Sequence, residues 1–118
     1  MDFQVIVSAY LETALWSSVG DNDQPLDDTF EVSDFEHSEV LKAFEDVSKF
    51  CNENLDLLVA SELSDEYIGH NFWLTRNHHG SGFWDRDLGD VGEKLTEASH
   101  AFGELHVQVA QNSQLYFE

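Results

Sequence analysis

Residues 71–86, NFWLTRNHHGSGFWDR, hold the side chains of this chain best suited to chemistry: the adjacent His78 and His79, Asp85, and both arginines, Arg76 and Arg86. With His70 just upstream, these imidazoles and the Asp85 carboxylate offer nitrogen and oxygen donors of the kind that zinc accepts. The spacing contains no HExxH and no cysteine pair, so His70, His78, His79 and Asp85 are weak candidates and no metal or other cofactor is expected. Acid–base chemistry would pair His78 or His79 as base with Asp85 or Asp87 as orienting carboxylate. Ser81 lies outside any GxSxG elbow, and GSG lacks the lysine that a phosphate-cradling loop carries after it. A small metal- or His-dependent enzyme centred on residues 76–90 is therefore the alternative reading.

Two further chemical readings are poor. Asp21, Asp23, Asp27 and Asp28 offer hard oxygens to calcium, but Leu26 and Val32 stand where an EF-hand loop needs its glycine and its closing glutamate. Cys51 is the single cysteine; its place in an apolar helical repeat makes it a buried thiol, not a nucleophile.

The same motif reads more simply as architecture. Phe72, Trp73, Phe83 and Trp84 carry large apolar areas, and Gly80 and Gly82 allow close packing between them. Arg76 and Arg86 have carboxylates within reach at Asp85, Asp87 and Asp90, and Asn77 opens the turn.

Charge is the other outlier, with 24 acidic against 5 basic side chains and a net charge of −19. Solubility is satisfied by much less, and nucleic acid and anionic membranes are bound through the lysines and arginines that are scarce here. No direct nucleic acid and no membrane contact are expected; a basic protein is the natural complement. The acids are densest at Asp21, Asp23, Asp27, Asp28, Glu31, Asp34, Glu36 and Glu39, a segment without Lys or Arg. Carboxylates one helical turn apart lie about 6 Å from each other, close to the roughly 7 Å between phosphates along a DNA strand.

These residues must be positioned by one domain spanning 1–118, with 42% hydrophobic residues, enough for a single core. Polar Gln4, Ser8 and Glu12 recur among apolar neighbours and predict a largely buried helix to Ser17, with the β-branched VIV leaving a strand open at its start. A long acidic connection follows. Ser33 and Glu36 have the form of a capping box before Val40, Phe44, Val47, Cys51, Leu55 and Leu58, a helix expected to break near Asn52 and Asn54. Ser64 caps a helix running into the motif, and Asp90 and Glu93 restart one that ends at Gly103. LHVQVA, QNSQ and LYF then form a hairpin. The expected class is α+β: three or four helices with a C-terminal β-hairpin.

ETALWSS at 12–18, QPLDD at 24–28 and HNFWLTRNHHGSGFWDRDLGDVGEKLTEASHAFG at 70–103 resemble a family of small acidic proteins of tailed bacteriophages and prophages. That family repeats a phrase like FWLTRNGHGAGFWDR, a Gly-Asp-rich turn and LTEAA. The direct resemblance covers about half the chain. It implies a phage source and action in the host cytoplasm, but no reaction. His78 stands where the family has glycine and Ser81 where alanine is common, so the turn at His78 either avoids positive φ or bears its cost. Charge and resemblance together lead to the expectation of an acidic inhibitor of a host DNA-binding or defence protein, acting by DNA mimicry. A virion-associated structural protein is a further alternative.

Overall fold

The computed structural model describes residues 1–20 and 23–118. Among them are five α-helices and one two-stranded antiparallel sheet: α1 (Phe3–Ser17), α2 (His37–Glu53), α3 (Leu55–Ser61), α4 (Asp65–Arg76), α5 (Asp90–His100), β1 (Val107–Val109) and β2 (Leu115–Phe117). The α+β class and the terminal hairpin are as expected, but there are five helices in place of three or four. The extra helix arises at Asn54, which leaves helical geometry (φ −125, ψ 25) and donates its side-chain amide to the Phe50 carbonyl, separating α2 from α3.

The VIV run is helical. Asp2 caps α1 by accepting from the Gln4 and Val5 N–H groups, and Ile6, Val7, Tyr10, Leu11, Ala14 and Leu15 are all buried. Helices α1 and α4 cross so closely at Gly69 that a Cβ there would lie 2.1 Å from the Ile6 carbonyl oxygen. The core beneath this crossing is aromatic. Phe50 stacks on Phe72 with centroids 4.2 Å apart and also meets Phe83, while Tyr10 packs on Phe72 and, edge-on, on Trp73. Burying that much ring area is the largest stabilising contribution available to a chain with so much self-repulsion.

The capping box expected at Ser33 and Glu36 is displaced. Ser33 sits inside a 3-10 turn, Val32–Asp34, and Glu36 precedes α2 without capping it through its side chain. The side chain that folds back is Asp34, which accepts the Glu31 N–H at 2.7 Å. The sequence pattern was real but two residues out of register, because the buried Phe35 must be delivered to the hairpin before α2 can begin. Phe35 forms a parallel bridge with Leu115, and the Glu36 N–H donates to the Leu115 carbonyl at 3.0 Å. The hairpin is held to the helices by Phe117, stacked on Phe35 and tilted against Trp73.

Candidate functional site

Thr75, Arg76, Asn77 and Asp85 of the 71–86 motif are bonded within the fold, whereas the buried Asn71 Nδ2 has no partner among the described residues. Arg76, at the end of α4, is buried; its Nη1 donates to Asp46 at 2.8 Å and to the Tyr10 hydroxyl at 3.0 Å, while Nε and Nη2 donate to the Gly103 and Phe102 carbonyls. Of the expected partners Asp85, Asp87 and Asp90, none bonds Arg76, whereas Arg86 lies 3.8 Å from Asp85. The carbonyls beyond the end of α5 lack helical donors, and only a guanidinium fork can serve them and Asp46 together. Burial pushes the Tyr10 phenol well above its ordinary pKa despite the arginine beside it. Asn77 ties the same region down, donating to the Trp73 carbonyl and accepting the Leu105 N–H at 2.8 Å.

The turn after Asn77 is built with equal economy. Thr75 Oγ1 accepts the Phe83 N–H, and a Cβ on Gly82 would lie 2.3 Å from that oxygen, so Gly82 is required by close approach. Gly80 is not: a side chain there would meet open space, contrary to the packing role expected of it. Asp85 accepts the Gly82 N–H at 3.0 Å, and Arg86 donates to Asn71 while lying over the Tyr67 ring. Phe72, Trp73 and Phe83 are in the core as expected, but Trp84 is 55% exposed, because the 3-10 turn Phe83–Asp85 sends consecutive side chains in different directions.

The histidines do not converge. His78 accepts the left-handed conformation (φ 56), resolving the fork left by the missing glycine; its ring stacks on His100 at 4.1 Å and lies 4.0 Å from Glu104. His79 donates its backbone N–H to Leu74 and its exposed side chain has no bond to Asp85 or Asp87 among the described contacts. His70 sits 3.2 Å from Thr13 and stacks on Trp16; burial, helped by Arg86, lowers its pKa. Among the described residues no three His, Cys, Asp or Glu side chains form a group able to hold a metal. Cys51 is buried and its thiol is pushed up to about 12 by desolvation, with the Asp65 charge adding to it.

The acidic segment presents the opposite arrangement. Asp23, Asp27, Asp28 and Glu31 are exposed, Asp34 and Glu36 are half-buried, and Asp21 lies outside the described residues. Glu39 is a correction: it is only 3% exposed, bound to the Lys42 ammonium at 2.8 Å and to the Phe117 N–H at 2.9 Å. Burial raises its pKa, but Lys42 and the Phe117 N–H outweigh that and hold the carboxyl below its usual range. It joins α2 to the hairpin and is not available to a partner.

The exposed acids stand on a fixed backbone. Val19 bridges Pro25, the Leu26 N–H donates to Ser18 at 3.0 Å, and the buried Leu26 anchors a 3-10 turn, Leu26–Asp28. Exposed carboxylates also occur on α2 to α5, so it is the cations that are distributed unevenly. Residues 1–41 and 95–118 contain no Lys or Arg. These two stretches meet in space through the Phe35–Leu115 bridge and through two clefts that composition gave no means of foreseeing. One, of about 350 Å³, lies between Ser17–Val19, the end of α4 with Asn77 and His79, and Leu105–Gln108; the other, of about 580 Å³, lies between Val19, Gly20, Gln24–Leu26, Thr29 and Phe30 on one side and Val107–Val109 on the other. Among the described residues no helix is long and apolar enough to cross a membrane. No family model matches the chain, and neither a curated protein nor a solved structure matches it.

Proposed function

We propose that the chain is an acidic inhibitor, encoded by a phage, that occupies the nucleic-acid-binding surface of a basic host protein in the host cytoplasm. The observation that carries this reading is the absence of Lys and Arg from residues 1–41, within which Asp23, Asp27, Asp28 and Glu31 are exposed from a backbone held by bridges and buried anchors. A fixed display matters because ordering a flexible acidic chain on binding would cost entropy that a preformed surface has already lost.

Mimicry by this segment differs from the helical version drawn from sequence. Asp27 and Asp28 stand on one 3-10 turn, Glu31 at the start of a second, and Asp23 before both, none on an α-helix, so the buried Leu26 and Phe35 position them. A negative field of this kind steers a cationic groove toward it and competes with duplex DNA for that groove, with strong dependence on salt. The bonds of Thr75, Arg76, Asn77 and Asp85 within the fold support assigning the 71–86 motif to the scaffold that holds the display.

Capture from a bacterial lysate on immobilised chain tests the reading. The expected result is a nucleic-acid-binding protein retained at low salt, released by duplex DNA, and retained less by the fourfold variant Asp23→Asn, Asp27→Asn, Asp28→Asn, Glu31→Gln. Retained proteins indifferent to both DNA and neutralisation would sink it.

A further inference from the structure

Resting on the reading of a basic partner, we infer that the free edge of β1 adds a strand from that partner: an extended Lys- or Arg-rich segment laid along Val107–Val109. The hairpin register fixes which groups are open. His106 and Glu118 exchange both backbone bonds, at 3.0 and 2.9 Å, and the Ala110 N–H donates to Gln114. Antiparallel bonds alternate, so residues 106, 108 and 110 face β2, while Val107 and Val109 direct their N–H and C=O groups away from it. The outer side of β2 is already occupied by Glu36 and Glu39, which bond Leu115 and Phe117. Among the described residues the sheet therefore has one open edge, and it belongs to β1.

The space beside that edge is shaped for a strand. Val107, Gln108 and Val109 point alternately to the two faces of the hairpin, yet all three line the larger cleft and no residue of β2 does. The cleft thus follows the edge instead of covering a face. It continues into the smaller one through Val19, Val107 and Gln108. Exposed Val19 and Val109 supply apolar contact, and β1 carries none of the lysines, prolines or charges that commonly guard an edge. An added strand would run about 4.8 Å from β1, drawing affinity from backbone bonds and selectivity from alternate side chains.

Charge selects the occupant. No Lys or Arg side chain lines either cleft, and the exposed Asp27, Asp28 and Glu104 stand next in sequence to the lining residues Leu26, Thr29 and Leu105, on a chain of net charge −19. A second copy would bring the same large negative charge against its own. A cationic strand is attracted by that charge.

The test uses the full chain and a seven-residue peptide of alternating lysine and valine, with two N-methylated forms, each blocked at alternate amides in opposite phase. At low salt the unmodified peptide should bind and slow amide exchange at Val107 and Val109. One methylated phase should bind about tenfold more weakly while the other binds normally, as expected for lost edge hydrogen bonds. Val109→Pro, whose lost N–H points outward, should weaken binding similarly; circular dichroism checks that it folds, and the methylated peptides test the native chain regardless. Equal binding of all three peptides, with unchanged exchange at Val107 and Val109, overturns strand addition while leaving the acidic face as an electrostatic site. Failure of any peptide to bind, or dimerisation through this edge, also overturns it. The inhibitor reading is then judged separately by DNA displacement of the captured host protein.

Discussion

The 71–86 motif and the 23–36 acidic segment are both rich in polar side chains, but they use them in opposite directions. In the motif, Arg76, Asn77, Thr75 and Asp85 each bond a backbone group of a neighbouring element, so the most conspicuous residues are spent on holding α4, α5 and the hairpin together. In the acidic segment, the apolar Leu26 and Phe35 do the holding, and Asp23, Asp27, Asp28 and Glu31 are left to solvent. Conspicuous sequence is therefore a poor guide to which side chains this molecule leaves exposed. A buried polar group must have a partner, which restricts its neighbours; an exposed carboxylate restricts nothing.

Within the motif the contrast is sharpest between adjacent aromatics. Phe83→Ala should destabilise the fold by about 4 kcal/mol, whereas Trp84→Ala should cost less than about 1 kcal/mol, both read by urea unfolding. Equal losses would mean that Trp84 is packed and the motif is not divided as described. Next in size, Arg76→Ala should cost about 3 kcal/mol, since it strands the Phe102 and Gly103 carbonyls and Asp46; Arg76→Lys should recover little, because an ammonium lacks the fork. A full recovery by lysine would leave only a simple ion pair.

Glu39 tests the boundary between the regions. Its folded pKa is lowered, so its stabilisation is present above the ordinary glutamate range and is lost as pH falls through the folded value. Glu39→Gln should cost about 1 kcal/mol at neutral pH and converge on the parent as the solution is acidified below the ordinary glutamate range. Parallel pH curves would show that Glu39 is not the coupled group. The smallest effect is expected for the fourfold neutralised variant, whose stability should change by about 0.5 kcal/mol or less, or rise slightly as repulsion falls, even as its binding weakens. A large stability loss would place those acids in the scaffold.

Helix positions were legible where local physics decides them. Ser64 caps α4 through the Tyr67 N–H, Asp90 opens α5, and Gly103 adopts φ 79 just beyond its end. These depend on residues a few positions apart. The α2 start was misread because its competitor, the Phe35–Leu115 bridge, joins residues far apart in sequence. Arg76 was given nearby carboxylates for the same reason; its actual partners come from α1, α2 and the stretch after α5. Of the eight acids singled out, Glu39 was lost to the interior, an outcome fixed by a hairpin 78 residues away.

Composition alone determined the net charge of −19, the absence of Lys and Arg from both ends of the chain, and the aromatic content needed to offset the repulsion. Tertiary structure alone decided that the two cation-free stretches meet at the Phe35–Leu115 bridge, that among the described residues one edge of β1 stays open beside them, and that Phe72, Trp73, Arg76 and Phe83 of the motif are buried while His79 and Trp84 are exposed. Charge and periodicity are sums over neighbouring letters, whereas an edge or a cleft exists only after distant segments have packed.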